Sequence, residues 1–396
     1  MQEVSRRLAG YEAELVAVRR DLHAHPELGR AEVRTTRVLR ERLTAAGLRP
    51  RVLPTGTGLL CDVGDAGRLV ALRADLDALP VPDAKDVPYR STQPGVCHAC
   101  GHDVHAAAVL GAGLVCADLA AAGRLPGRVR LVFQPAEELT PGGALDVVAA
   151  GGLDGVERIF AVHCAPGLAA GLVGLRAGPV TAAADALRVC LTGPGGHTAR
   201  PHLTADLVYA LAKVVTEVPA ALSRRVDPRA GMSLVWGRIE AGRAANAIPQ
   251  AAEAAGTVRC LDLPTWQQAP ELVESLVRSV VAAYAATVQV DYQRGVPPVV
   301  NDPVSTALVA AAASEVLGAE SVVPTEQSLG GEDFAWYLEQ VPGALVRVGV
   351  AGPAGGVDGR GTAGRHDLHQ GAFDVDERAV GVAARVLAAT AVAALG

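Results

Sequence analysis

Residues 95 to 105 read GVCHACGHDVH and hold five side chains able to bind a metal or move a proton: Cys97, His98, Cys100, His102 and His105. Three chemistries use such a set. Cys97 and Cys100 have the spacing of a thiol–disulfide pair, but a thioredoxin-like motif follows the first strand of a much smaller fold, and the CxxCH order of a haem attachment site is absent. A structural zinc knot takes four Cys/His ligands from two separated local pairs. A catalytic metal site needs partners from elsewhere in the chain, and such partners exist. Asp75 and Asp77 close an apolar run as LRADLDALP. Two acids one residue apart on a strand point the same way, so one can hold a ligand that the other orients, although a helix cap or turn uses the same pattern. Glu137 and Glu138 in QPAEEL face different directions, which lets one bind a cation while the other faces its water; an exposed charged turn reads the same. His163 follows an apolar run in AVHCAP, where a hydrogen-bonded core histidine is the plainer reading, and His369 lies in RHDLHQGAF behind the glycine-rich stretch 352–364. Carboxylate, imidazole and thiolate together suit zinc, manganese, cobalt or nickel better than calcium or magnesium.

These groups need elements to hold them. Through the first 180 residues, helical periods such as VRTTRVLRERLTAAGL (33–48) alternate with apolar strand-like runs at 69–79, 129–138 and 158–166. The alternation predicts an α/β fold, a mostly parallel central sheet flanked by helices, and each polar cluster follows a strand, where ligands collect in such sheets. Near Gly178 the pattern changes to strand, helix, two strands, helix and strand, which predicts a smaller inserted α+β sandwich. The expected boundaries are 1–179 for the first part of the catalytic domain, 180–292 for the insert and 293–396 for the second part.

Composition narrows the classes. At 396 residues the chain is long enough for two domains, and with half its residues hydrophobic but only 3% aromatic its cores are expected to be aliphatic. A net charge of −6 without a Lys/Arg run argues against nucleic acid. The apolar stretches 106–123 and 379–396 are interrupted by Asp118 and Arg385 and are expected to be buried helices, with no membrane partner. Seven scattered cysteines and an N-terminus without a signal-peptide core predict reduced thiols and a cytoplasmic location.

Nine ordered motifs, from DLHAHPELG (21–29), LRADLDALP (72–80), CHACGHDVHAA (97–107) and VFQPAEE (132–138) through HCAPGL (163–168), GPGGHTARPH (193–202) and ANAIPQ (245–250) to GGEDFAWY (330–337) and LHQGAF (368–373), span the chain. In them the sequence resembles the binuclear metal amidohydrolases that include hippurate hydrolase, the plant indoleacetyl-amino acid hydrolases and bacterial N-acyl-amino acid hydrolases. The resemblance implies two divalent metal ions (Zn, Mn, Co or Ni) on Cys100, His102, Glu138, His163 and His369, with Cys100 bridging, Glu137 as general base and Asp77 orienting a ligand. It makes Cys97 a bystander and gives His98 and His105 packing or supporting roles. Asp75 stands where wider relatives carry a histidine ligand, so it receives no fixed role. His23 and His25 match a family feature away from the metal, and Glu332 is read as structural. His197, on the insert, is implied as a donor to the oxyanion, acting in cis or from a neighbouring subunit. Asn246 and Arg259 are candidates to grip substrate, the latter because a guanidinium binds carboxylate in bidentate fashion. The implied reaction is hydrolysis of an N-acyl amino acid by a homodimer or homotetramer, with a dipeptidase or carboxypeptidase as the competing activity and a non-catalytic metal-binding homologue as the alternative from another class.

Overall fold

The structure, a computed structural model, describes residues 1–352 and 366–396; most of the glycine-rich stretch singled out above lies outside the described residues. Its contacts divide the chain into two units, Met1–Gly178 with Val300–Glu326 and Asp333–Gly396, and Pro179–Val299 with Gln327–Glu332.

The first unit is built on an eight-stranded sheet in the order Arg51–Val52, Leu59–Val63, Arg128–Gln134, Leu69–Asp75, Val156–Ala169, Gly343–Ala351, Val173–Leu175, Val322–Pro324. Leu69–Asp75 runs parallel to both of its neighbours, and Val156–Ala169 runs parallel to Gly343–Ala351. Burial on both faces explains why these strands read as unbroken apolar runs. All seven residues of Leu69–Asp75 are buried, including Arg73 and Asp75. The two apolar stretches noted in the sequence become the helices His102–Ala121 and Arg378–Leu395, which pack on each other within this core. Small residues allow a close approach: a Cβ on Gly111 would stand 3.1 Å from Ala384 of the second helix as well as against Leu15, and one on Gly113 would meet Leu131 of the sheet. An aliphatic core with few rings follows from that spacing, since each fully buried Leu or Val contributes about 1.5–3 kcal/mol.

The second unit carries a four-stranded antiparallel sheet, Ser233–Ala241, Ala251–Cys260, Ala183–Thr192, Thr287–Val296, against the helices Leu207–Arg225 and Leu263–Val281. Here burial alternates along Ala183–Thr192, as expected for a sheet with one covered face. Asp206 and Asp262 cap the two helices by accepting the backbone N–H groups of Tyr209 and Thr265. The unit differs from the expected insert, 180–292. Its last strand runs on until Val296 pairs with Ala184, and Ser328 exchanges backbone hydrogen bonds with Val180 (2.8 Å) and Ala182 (3.0 Å), which draws Gln327–Glu332 into this unit. A segment without strand periodicity is held by backbone bonds that no side-chain pattern announces.

Candidate metal centre

The turn before helix His102–Ala121 sets the first two groups. Gly101 takes φ +88°, and a Cβ there would stand 2.6 Å from Cys164 Sγ, so only glycine fits between Cys100 and His102. His102 donates from Nδ1 to the Asp77 carbonyl at 2.8 Å, so that in the neutral ring Nε2 is the nitrogen without a proton. That Nε2 is buried without a hydrogen-bond partner, 3.6 Å from Asp75 Oδ2 and 4.0 Å from Glu138 Oε1.

Strand Arg128–Gln134 delivers the next pair. Ala136 holds φ +55°, and three successive N–H groups are bound by buried carboxylates. Glu32 Oε1 takes Ala136 N at 2.7 Å, and Asp77 takes Glu137 N on Oδ1 and Glu138 N on Oδ2, both at 2.9 Å. Asp77 therefore fixes His102 through its carbonyl and the glutamate turn through its carboxylate. His163 donates from Nδ1 to the Cys164 carbonyl at 2.8 Å and brings Nε2 within 3.7 Å of Cys100 Sγ. His369 also has a left-handed backbone, φ +65°; its N–H bonds the Ala99 carbonyl at 2.8 Å, and its Nε2 lies 3.2 Å from Glu138 Oε1. Left-handed residues at both turns are the kind of local strain that functional sites retain.

Ligand atoms of Cys100, Glu138 and His369 lie within 4.8 Å of one another, as do those of His102, Glu137 and Glu138. Cys100, His102, Glu137, Glu138, His163 and His369 are thus brought together in the first unit. The donor set is sulfur, imidazole and carboxylate, with a bare imidazole nitrogen aimed into it. This fits a pair of divalent transition cations, and an apolar or purely electrostatic role would leave that nitrogen unsatisfied.

Electrostatics agree with a site that holds positive charge. Burial pushes the Asp77 carboxyl up, but its bond to His102 and the N–H groups of Glu138 and Glu137 outweigh that and hold it below the usual range. His102 is pushed down by burial and raised well above its ordinary value by Asp75 and Cys100. Burial, with Arg347 and His105, holds His163 well below its ordinary value, so it presents a neutral ring. The bond to Glu138 raises His369. Cys97 is fully buried and burial pushes its thiol up to about 11, the reverse of what a redox nucleophile needs.

The other predicted residues fall elsewhere. His197, Asn246 and Arg259 all belong to the second unit. His197 pairs with Ala247 across a short two-stranded ribbon, and Asn246 lends its carbonyl to Thr198 N at 3.3 Å, so the two lie side by side; both are exposed. His23 donates to Asp103 at 2.7 Å and lies 3.4 Å from Asp83 in a buried cluster with Arg19, while His25 bonds the Asp21 carbonyl. His98 is buried and held at a pKa of about 3 by burial. Glu332 is buried in the second unit, and its neighbour Asp333 belongs to the first. Sequence reasoning passed over Arg73, Gln134, Asp333 and Glu32. Arg73 in the middle of a buried strand was the available signal, since a buried guanidinium requires partners.

The sequence pattern of peptidase family M20/M25/M40 matches residues 71–393. The chain belongs to this family. A relative from Bacillus subtilis (strain 168), N-acetyl-L-cysteine deacetylase, is 36% identical over 375 residues, covering 94% of this chain and 86% of that protein. A Rhodococcus jostii (strain RHA1) protein bearing the name "Putative glutamate--cysteine ligase 2-3" is 50% identical over 379 residues; the match takes in 96% of this chain but 46% of that protein, so this chain spans about half its length. Among solved structures, the dinuclear metal-binding M20 peptidase YXEP of Bacillus subtilis superposes with TM-score 0.84 at 33% identity, covering 98% of this chain and 99% of that one. The M20 fold is therefore that of this chain, and it gathers thiolate, imidazole and carboxylate groups able to hold metal ions.

Proposed function

We propose that this chain hydrolyses the amide bond of N-acyl amino acids, releasing a carboxylic acid and a free amino acid. Two divalent cations, drawn from zinc, manganese, cobalt and nickel, are held by Cys100, His102, Glu138, His163 and His369. Bound there, they supply Lewis acidity, lowering the pKa of water and polarising a carbonyl. The rest is done by side chains. Glu137, on the turn fixed by Asp77, takes the proton of the attacking water on its carboxylate and hands it to the leaving nitrogen. His197 donates to the oxyanion, Asn246 binds the substrate's polar groups, and Arg259 grips its free carboxylate through two parallel N–H bonds.

The observation that carries this reading is the double use of Asp77, whose carbonyl orients His102 while its carboxylate holds Glu137 and Glu138. A base and two ligands locked to one residue are the arrangement a metal-activated water requires. The deacetylase relative supports an N-acyl amino acid as substrate. The same reading takes the enzyme as a cytoplasmic homodimer or homotetramer, with the absence of disulfides among the described residues as support for the compartment.

A substrate panel tests it. N-acetyl, N-benzoyl and long-chain acyl amino acids are expected to turn over in the presence of cobalt or zinc, with dipeptides slower. Turnover of dipeptides or C-terminally extended peptides alone would replace the reading with a dipeptidase or carboxypeptidase.

A further inference from the structure

Asp75 occupies the strand end beside the metal ligands, yet both its oxygens are taken. Oδ2 binds Arg73 Nη1 at 2.7 Å and Oδ1 binds His105 Nδ1 at 2.6 Å, with all three residues buried. Arg73 is itself held from behind, by Asp333 Oδ1 at 2.7 Å and Gln134 Oε1 at 2.8 Å, and Tyr337 donates to the same Gln134 oxygen at 2.9 Å. On the far side, His105 Nε2 accepts the Cys164 N–H at 2.9 Å, which requires the ring's proton on Nδ1, where it is donated to Asp75. The carbonyl of that same Cys164 receives the Nδ1 proton of His163. The connected path is Asp333, Arg73, Asp75, His105, the backbone of Cys164, and the ring of His163.

We propose that Asp75 and His105 are positioning residues for the metal ligand His163, with Asp75 acting through His105 and not as a ligand itself. The inference rests on the two-metal reading above. Three observations carry it. A carboxylate already paired with a buried guanidinium offers a cation little net charge, and turning it to the metal would break that pair and cost Arg73 one of its buried partners. His105 has both ring nitrogens engaged, so it too is no donor to a metal. The N–H of Cys164 is anchored from the helix side by His105, and the carbonyl of the same residue sets which nitrogen His163 presents to Cys100.

The test is cobalt binding to metal-stripped full-length protein, read as cobalt per chain at saturation, affinity, and the thiolate-to-cobalt absorption band. Asp75→Ala and His105→Leu should each keep two cobalt ions per chain while weakening the second by about 10–100-fold, the range expected when a residue supporting a ligand is removed. The double variant should be no weaker than either single one, because both break one path. Asp75→Asn keeps an acceptor for His105, and His105→Gln keeps an acceptor for the Cys164 N–H, so each should recover most of the affinity. These two conservative variants also serve if a truncation fails to fold. The proposal is overturned if Asp75→Asn and Asp75→Ala both bind one cobalt at saturation, which is the behaviour of a lost ligand, or if His105→Leu binds two cobalt ions with wild-type affinity. Wild-type protein binding fewer than two cobalt ions would instead refute the two-metal reading itself.

Discussion

Replacing Asp77 probes the link between packing and chemistry. Asp77 is buried, and its carboxylate accepts the N–H groups of Glu137 and Glu138 at 2.9 Å each. A hydrogen bond to a charged group contributes about 1.5–3 kcal/mol, so losing two of them in Asp77→Ala should lower the unfolding free energy by about 3–5 kcal/mol, the upper end reduced because the freed N–H groups are only half-buried. The catalytic loss follows from geometry. Ala136 sits at φ +55°, and without Asp77 the turn that aims Glu137 loses two of the three carboxylate bonds to its N–H groups. A displacement near 1 Å at a reacting group costs about 100-fold in rate. Asp77→Asn keeps the shape but turns an N–H donor toward one of the two backbone donors, so it should lose about half the stability and still fall at least about 30-fold in kcat/KM. Hydrolysis of an N-acetyl amino acid at saturating cobalt, with urea unfolding of the same preparations, measures both. Asn and Ala variants within about threefold of wild type in kcat/KM, at unchanged stability, would refute the role given to Asp77.

Further outcomes follow from other parts of the molecule. Gly101→Ala introduces a Cβ 2.6 Å from Cys164 Sγ at φ +88° and should reduce cobalt bound per chain, measured by metal analysis, with a fall in Tm from the strained turn. In the second unit, Asp185 accepts from Trp266 Nε1 and Tyr292 Oη, both at 2.8 Å, and from Gly295 N at 2.9 Å; Asp185→Ala should destabilise that unit by about 3–5 kcal/mol in urea unfolding followed by tryptophan fluorescence. Burial raises the Asp103 carboxyl, but Arg19 and His23 beside it outweigh burial and hold it well below the usual carboxylate range. Its contribution to stability is thus complete above its unfolded value of about 3.9 and is lost as the pH falls below that value toward the folded one. Thermal melts of metal-stripped protein should drop steeply below about pH 4, and Asp103→Asn, less stable at neutral pH, should show a shallower slope over the same range.

Much of the site was legible because its chemistry sits at strand ends. Apolar runs closing in Asp, Glu or His announce positions where a parallel sheet presents side chains at one edge, and Asp75, Asp77, Glu137, Glu138 and His163 were found that way. The support beneath them was less visible. Arg73 stands inside LRADLDALP, but its partner Asp333 lies 260 residues away, and no local pattern links them. The resemblance gives His105 a packing or supporting role but names no partner; three residues after His102 in a helix, it lies beside that histidine, with ring centroids 5.4 Å apart. Glu32, an acid at the edge of a helix by sequence, reaches across to the Ala136 N–H. The boundary of the second unit was missed where backbone hydrogen bonds, which carry no residue signature, hold Gln327–Glu332 to Val180 and Ala182.

The central claim is that a cation pair and Glu137 share the work on one water. Glu137→Gln leaves the five ligand side chains in place and removes only the carboxylate that accepts a proton. The measurement is metal content and N-acetyl amino acid turnover on the same preparation of this variant. The account predicts two cations per chain, as in wild type, with kcat reduced by about 100-fold or more. Turnover close to wild type with both cations bound would contradict it.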